Sequence, residues 1–325
     1  MIFLFCRTCQ TRLTENGSSH VCYACGADWR TVGGVLRAAT APSGNQSGAS
    51  EEFFDRYHTV GKPVAPSETE WWFRLDSLDP ARILDPLISS TLPNVVIELG
   101  CGAGTNLASV QAVHPHVALL IGCDVSYNAL ALAKTRLSNE RSASNVLLIH
   151  ADGTQLPLEP QCADIVLLIN VLHHATDLSL IGDAARLVRL GGTVLVIDLS
   201  SKSFLNRASR LVWGLFPRSL RRRFAHDLLV DDEAPTVQLV NPDILDAAAS
   251  QAGMVREGGE SMGLFLFLIQ HFFMLFPNLG RWFPKNLWIR LEWLERRALD
   301  VPFLANQCAG FSIRYRMGQS IPIAP

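Results

Sequence analysis

A doubly wound α/β fold is what this sequence predicts, and three observations carry it. The stretch VVIELGCGAGTN, Val95 to Asn106, is a β-branched apolar run, then an acid, then three glycines at alternate positions, then helix-compatible residues. It reads as a strand, a tight turn and a helix N-terminus, in which Gly100, Gly102 and Gly104 let the backbone turn sharply and bring a ligand close to main-chain amides. A second apolar run, VALLIGCD, ends in Asp124, twenty positions after the last of those glycines, where such a fold sets an acid opposite a ribose. From Asn94 to Ser200 strands and helices alternate, and each strand is apolar at nearly every position, as a parallel sheet covered on both faces requires.

The elements follow in order from the N-terminus. Cys6, Cys9, Cys22 and Cys25 form CxxC, twelve residues, CxxC, and Gly26 follows the second pair. Two thiolate pairs on two turns close a tetrahedron about Zn²⁺, whereas the competing readings are two redox dithiols or chance clustering. His20 is a substitute ligand, although four cysteines already fill the shell. A closed site of four cysteines leaves no position for a substrate, so the zinc is read as structural, holding a module of residues 1–38 that has too little core to fold unaided. The remaining four of the eight cysteines, Cys101, Cys123, Cys162 and Cys308, fall in or beside predicted core strands and read as small buried hydrophobes. Residues 39–50 are small, polar and aperiodic, a linker. Residues 51–92 carry Phe53, Phe54, Tyr57, Trp71, Trp72 and Phe73, a dense aromatic group that either caps a substrate mouth or packs on the sheet.

Residues 93–325 form the main domain. Helices are predicted near 105–113, 127–138 and 179–189, and another over Asn241–Gln251, begun by its Asn-Pro pair with Gly253 just past its end. MVREGG and AGFSIRYRM then supply the last two strands. Two inserts interrupt this plan, at about 201–240 and 260–308. The first holds Lys202 to Arg223, with seven basic residues, no acid, and Leu205, Leu211, Trp213 and Phe216 among them. The second begins with GLFLFLIQHFFMLF, Gly263 to Phe276, nearly all apolar yet too short to span a bilayer. Together 202–223 and 263–276 either make a basic, apolar face for a membrane or greasy substrate, or form a helix pair packed on itself.

The turn after the first core strand selects the cofactor. A dinucleotide fingerprint is GxGxxG, but here the glycines read GxGxG and Glu98 stands two positions before them. A carboxylate there repels a pyrophosphate and receives a cationic amino group, which favours S-adenosylmethionine over NAD. Further on, NVLLIHADGTQLPL gives a strand ending before Asp152, and ADIVLLINVLHHATDL gives a strand ending at Asn170 and followed by His173 and His174.

Residues from about 94 to 198 thereby resemble a class I S-adenosylmethionine-dependent methyltransferase of the large small-molecule group that includes quinone-biosynthesis enzymes. The resemblance rests on ELGCGAG, GCDVS, ADGTQLPL, NVLHH and ARLVRLGGTVLVID in that order. It implies a Rossmann-like sheet of seven strands, six parallel and the last antiparallel. It also implies that Glu98 contacts the methionine amine, that the three glycines shape the floor, and that Asp124 accepts from both ribose hydroxyls. Val125 then packs on the adenine face, Asp152 accepts from the adenine amine, Gly153 allows the turn, and Asn170 offers its backbone carbonyl. An acid at a strand end also serves as a turn cap, which for Asp124 before Val-Ser-Tyr competes with the ribose role. His174 is the candidate base, a neutral imidazole able to take a proton from an attacking hydroxyl or phenol; the competing role is packing beside the cofactor or capping a helix.

The expected activity is methyl transfer to oxygen or carbon of a small, hydrophobic or lipid-linked acceptor. An RNA methylase and a non-catalytic cofactor-binding scaffold with a zinc recruitment module remain the alternatives. The 28 Lys and Arg against 30 Asp and Glu leave a net charge of -2, which gives no global attraction to nucleic acid, although Arg221 to Arg223 and the cysteine module favour RNA. The apolar opening MIFLF is too short for a signal peptide, so the cytoplasm is the expected location, with membrane association through the two inserts.

Overall fold

The computed structural model describes residues 4–39, 52, 54–55, 84, 87–88, 94–138, 146–175, 177–214, 238–275 and 277–318. The predicted linker beyond residue 39, the aromatics Phe53, Tyr57, Trp71, Trp72 and Phe73, and the basic run Arg221 to Arg223 lie outside them. At the N-terminus β1 (Phe5–Cys6) and β2 (Thr11–Arg12) pair as a short hairpin. An antiparallel meander follows, β3 (Thr14–Asn16), β4 (Ser19–Val21), β5 (Asp28–Val32) and β6 (Val35–Ala38).

The apolar runs of the main domain form β7 (Val95–Leu99), β8 (Leu119–Asp124), β9 (Val146–His150), β10 (Ala163–Ile169) and β11 (Val188–Leu199), all parallel. They alternate with α1 (Thr105–Val113), α2 (Tyr127–Ser138) and α3 (Ser179–Leu187). The third helix stops two residues short of its predicted end, because Val188 already pairs with Ala163 in the sheet. Beyond α4 (Phe204–Gly214), α5 (Pro242–Gln251) starts with the Asn241 side chain accepting from the Asp243 amide, the cap its Asn-Pro pair predicts. The last two strands are β12 (Met254–Met262) and β13 (Gly310–Met317); β13 runs antiparallel to both β11 and β12, so β12 points with the parallel set.

Strand order is β12-β13-β11-β10-β7-β8-β9-β6-β5-β4-β3, one sheet of eleven strands where seven were expected. The difference lies in the cysteine-bearing segment. It does not stand apart: β6 pairs in parallel with β9, Val35 to Leu148 and Leu36 to Ile149, so the meander continues the main sheet past its usual edge. Leu4 bridges Leu158, the Arg7 guanidinium donates to Asp183 on α3 at 2.5 Å, and Lys134 on α2 donates to the Gly33 carbonyl at 2.5 Å. A short strand such as VLRA carries no trace of its partner in sequence, since any exposed parallel edge satisfies its amides equally.

Two apolar layers cover the sheet. Ile97, Leu99, Ile121 and Val166 face α3 and α5 on one side, while Val96, Leu120 and Ile165 face α1 and α2 on the other. Successive β6 residues divide between them, Leu36 joining the first layer and Val35 the second. The second insert is helical, α6 (Phe265–Leu275), α7 (Pro277–Trp282), α8 (Lys285–Leu299) and α9 (Pro302–Ala305), with its own small core of Leu266, Phe273 and Trp288. No helix among the described residues is long and apolar enough to cross a membrane.

With Leu36 and Val35 packed in the two layers of the main sheet, the N-terminal meander and the main sheet are expected to unfold together. Leu36→Ala, which empties a site only 2% exposed, is expected to destabilise the whole chain by about 2–5 kcal/mol. Urea unfolding followed by far-ultraviolet dichroism checks this: one transition displaced to lower urea is expected, and an unmoved main transition refutes the shared core.

Candidate cofactor site and cysteine cluster

β7 is flanked by β8 on one side and β10 on the other, so chain connections diverge between β7 and β10 and leave a crevice at the C-terminal ends of the strands. The residues predicted from sequence collect there. Glu98, one residue from the end of β7, is fully buried. Its Oε1 accepts from the Asn106 side chain at 2.6 Å, and its Oε2 has no partner among the described residues. Burial pushes its pKa from 4.5 up to about 8; Asn106 opposes this, and the nearby Asp124 charge adds to it.

The three glycines all adopt left-handed backbone, with φ of 76° at Gly100, 50° at Gly102 and 73° at Gly104. Their reasons differ. A Cβ on Gly100 would lie 2.4 Å from Val171 in the loop after β10, and one on Gly104 would lie 2.8 Å from Ala133 of α2. Both therefore serve packing as well as the turn. At Gly102 a Cβ would meet nothing within 4 Å among the described residues.

Asp124 ends β8 with both carboxylate oxygens engaged by the backbone, Oδ2 accepting from the Gly102 amide at 2.8 Å and Oδ1 from the Ser126 amide at 2.9 Å. The capping role is thus real. It does not displace a ribose role, because each carboxylate oxygen has a second lone pair. Val125 is half-buried, and its carbonyl accepts from His150 Nε2 at 2.9 Å. Asp152 likewise caps, its Oδ1 accepting from the Thr154 amide and hydroxyl at 2.9 and 3.0 Å. Gly153, expected to permit a turn, is not in left-handed backbone; its requirement is steric, since a Cβ would lie 2.6 Å from Leu180 of α3. Asn170 is a non-glycine residue at φ 52°, a strained position at the end of β10, with its amide donating to the Ile197 carbonyl at 2.8 Å.

His174 is half-buried with an Nδ1 that finds no partner among the described residues. Burial, aided by His173, lowers its pKa from 6.5 to about 3, so the ring is neutral. Its ring sits 4.0 Å from that of His173 and 5.1 Å, edge-on, from Phe54, one cap aromatic that the structure does bring to the site. His173 is held differently, its Nδ1 donating to the buried Asp198 at 2.7 Å. Asp198 also receives the Leu172 amide at 2.9 Å and the Leu199 amide at 2.7 Å, fixing the whole loop after β10.

Sequence reasoning missed Asn106, Asp198 and Asp55 as site supports. Asp198 had a signal, a lone acid near the end of the apolar run GGTVLVID. Asp55 had none: its Oδ1 accepts from the Ser126 hydroxyl at 2.6 Å, seventy-one positions on, and caps α2 by accepting from the Asn128 amide at 3.0 Å.

The cysteines form a second, separate centre. Cys6 and Cys9 bracket the turn from β1 to β2, and Cys22 and Cys25 the turn from β4 to β5; all four Sγ atoms lie within 4.8 Å of one another. The two turns have the same build. Gln10 and Gly26, each just after the second cysteine of its pair, have φ of 55° and 74°, and their amides donate to the carbonyls of Cys6 and Cys22 at 2.9 and 2.8 Å. Tetrahedral zinc thiolates place sulfurs about 3.8 Å apart, and Cys6 and Cys25 stand at 3.5 Å. No disulfide links them.

Residues 97–196 match a family model described as a methyltransferase domain. Over 153 residues the chain is 27% identical to methyltransferase GfsG of Streptomyces halstedii, a match covering 46% of this chain and 53% of that protein. Among solved structures it is similar to phosphoethanolamine N-methyltransferase 2 of Haemonchus contortus with phosphomonomethylethanolamine and S-adenosylhomocysteine, at a TM-score of 0.54 and 18% identity over 83% of this chain and 60% of that one. The same enzyme with S-adenosyl-L-methionine gives 0.50 and 17%, over 82% and 56%. The chain thus spans between half and two thirds of these relatives' lengths, and at such identity the solved structures establish the fold. The matched domain, seated on this sheet, supports a methyltransferase.

Glu98 yields a prediction independent of any ligand. In the unfolded chain it ionises near 4.5, whereas folded it holds its proton to about 8, so its contribution is complete below about pH 4.5 and is lost as pH rises through 8. Glu98→Gln is therefore expected to make the ligand-free protein more stable at pH 8 by on the order of a few kcal/mol, with little difference at pH 4.5. Urea midpoints across that range check it; a constant difference between variant and wild type would contradict the assignment.

Proposed function

We propose that this chain transfers a methyl group from S-adenosylmethionine to oxygen or carbon of a small, hydrophobic or lipid-linked acceptor. The observation that carries the reading is the buried Oε2 of Glu98, without a partner among the described residues, beside the glycine turn. A carboxylate so placed suits a cationic amine, and with Asp124 close enough to raise its pKa the pair is hostile to a pyrophosphate. In this reading Glu98 receives the methionine amine, Gly102 leaves room on the floor, Asp124 takes the ribose hydroxyls, Val125 the adenine face and Asp152 the adenine amine, while Asn170 offers its carbonyl. When bound, the cofactor supplies an electrophilic methyl on a sulfonium, whose leaving thioether needs no acid.

The chain's own work is then to bind, orient and exclude water. His174 is the residue we assign to the acceptor. Its neutral Nδ1 accepts a hydrogen bond from an acceptor hydroxyl and aims the oxygen lone pair at the methyl; with a pKa near 3 the ring stays neutral and the hydroxyl proton leaves to solvent with the methylated product. His173, locked by Asp198, and Phe54 keep that imidazole in place.

Calorimetry with S-adenosylmethionine tests the cofactor. At pH 6.5 the incoming amine is charged and most Glu98 is protonated, so binding is expected to expel close to one proton, read from the heat in buffers of different ionisation enthalpy. Glu98→Gln is expected to bind at least about tenfold more weakly and to expel none. Absence of heat with the cofactor and its demethylated product, or binding of NAD instead, overturns the reading. The acceptor is then sought as the metabolite that gains one methyl in extract.

We assign a structural Zn²⁺ to Cys6, Cys9, Cys22 and Cys25, on the convergence of the thiols and the matching backbone of their two turns. Protein purified without chelator is expected to carry about one zinc per chain by mass spectrometry of the metal, and stripping it is expected to lower the melting temperature. Four thiols that titrate freely in metal-free protein of undiminished stability would refute the assignment.

A further inference from the structure

We infer that the helical insert of residues 265–305, together with the outer face of α4, rests on the surface of an anionic lipid bilayer. The inference is independent of the acceptor and of the cofactor.

Exposed apolar side chains are concentrated there. Of the eighteen large hydrophobics exposed among the described residues, ten lie between Leu268 and Phe303, including Trp282 at 86% and Phe303 at 72% exposure. They are surplus to packing, because the insert already has an interior in Leu266, Phe273 and Trp288. Scattered exposed apolar residues need no explanation, but a concentration of this kind does.

The charge on the outer face of α8 is basic, with the exposed acid Asp300 at the helix end paired to Arg297 at 3.9 Å. On α8 the inward face carries Trp288, Glu292 and Glu295, all buried. Glu295 is turned in to accept the Gly263 amide at 3.2 Å and the Leu266 amide at 2.8 Å, and Glu292 pairs with Arg296 at 2.7 Å. At about 100° per residue the opposite face presents Ile289, Arg290, Trp293, Leu294 and Arg297, apolar and basic residues with no acid between them. Arg297 lies 5.5 Å over the Trp293 ring, its stem covering apolar surface while the charge stays outside.

α4 extends the surface. Phe204, Arg207 and Leu211, spaced to share one helix face, are all exposed, and the start of the helix is tied to the end of the insert by Ser203 and Phe204 bonding to Gln307 at 2.9 and 3.2 Å. Tryptophan and phenylalanine among arginines, on helices too short to cross, describe an element lying in the headgroup region, with Glu292 and Glu295 withdrawn and Arg207, Arg290 and Arg297 exposed toward lipid phosphates, Arg297 with Asp300 within 3.9 Å. A second copy of the chain fits less well, since two such faces would bring arginines against arginines.

Cosedimentation of the full chain with phosphatidylcholine vesicles, with and without about 30% phosphatidylserine, tests the inference. Binding is expected to the mixed vesicles, to fall as salt rises from about 0.1 to about 1 M, and to be weak on phosphatidylcholine alone. The triple variant Trp282→Gln, Trp293→Gln, Phe303→Gln, altered only at exposed positions, is expected to keep its melting temperature and lose about tenfold in partitioning. The inference is overturned if wild type stays in the supernatant with mixed vesicles, if the variant sediments like wild type, or if sedimentation equilibrium shows a dimer that the variant abolishes.

Discussion

A carboxyl group withdrawn from water at the tip of the central strand is the constraint on which the rest of this molecule turns. Burying Glu98 costs free energy that one hydrogen bond from Asn106 only partly offsets, and the folded chain answers by holding the group protonated. Neighbouring features make sense around it. Asp124 is held by two backbone amides, so it stays in place beside a like charge. The glycine turn uses one residue to clear the loop after β10 and one to admit α2. In the proposed reading a cation completes this site, and the buried carboxyl is then a better guide to ligand chemistry than the glycines, which many phosphate sites share.

The loop after β10 is the second organised part. Asp198 bonds the His173 ring and two backbone amides, so the paired histidines are positioned by the end of β11 and not by their own loop alone. The consequence is a division of labour between adjacent imidazoles. His173 is anchored, while the His174 Nδ1, between the His173 and Phe54 rings, has no partner among the described residues. Strain at Asn170, on the same loop, belongs with this arrangement, since an unfavourable backbone angle persists only where its surroundings over-determine it.

Much of this was legible in the sequence because periodicity and strand-end acids are local signals. The five parallel strands, α1, α2 and the Asn-capped α5 are where the apolar pattern and the capping residues place them. The acids stand at the C-terminal ends of neighbouring parallel strands, Glu98 on β7, Asp124 on β8 and Asp152 just beyond β9. What escaped was non-local. Nothing in VLRA announces pairing with VLLIH, and nothing near Asp55 announces a helix cap seventy-three residues away. Gly153 adds a non-local detail: it begins the tight turn capped by Asp152, and Leu180 of α3 also lies where its Cβ would be.

The continuation of the sheet into the N-terminal meander also settles how its borders are protected. An uncovered β9 would offer a parallel row of unpaired amides beside an apolar strand, an open template for other chains. Here β6 covers it, and the border moves outward to β3, three exposed residues, Thr14, Glu15 and Asn16, with a charge at the centre. A strand that short, polar and charged recruits little. The cysteine-bearing segment therefore acts as a selvedge for the sheet, keeping the woven edge from catching on its neighbours.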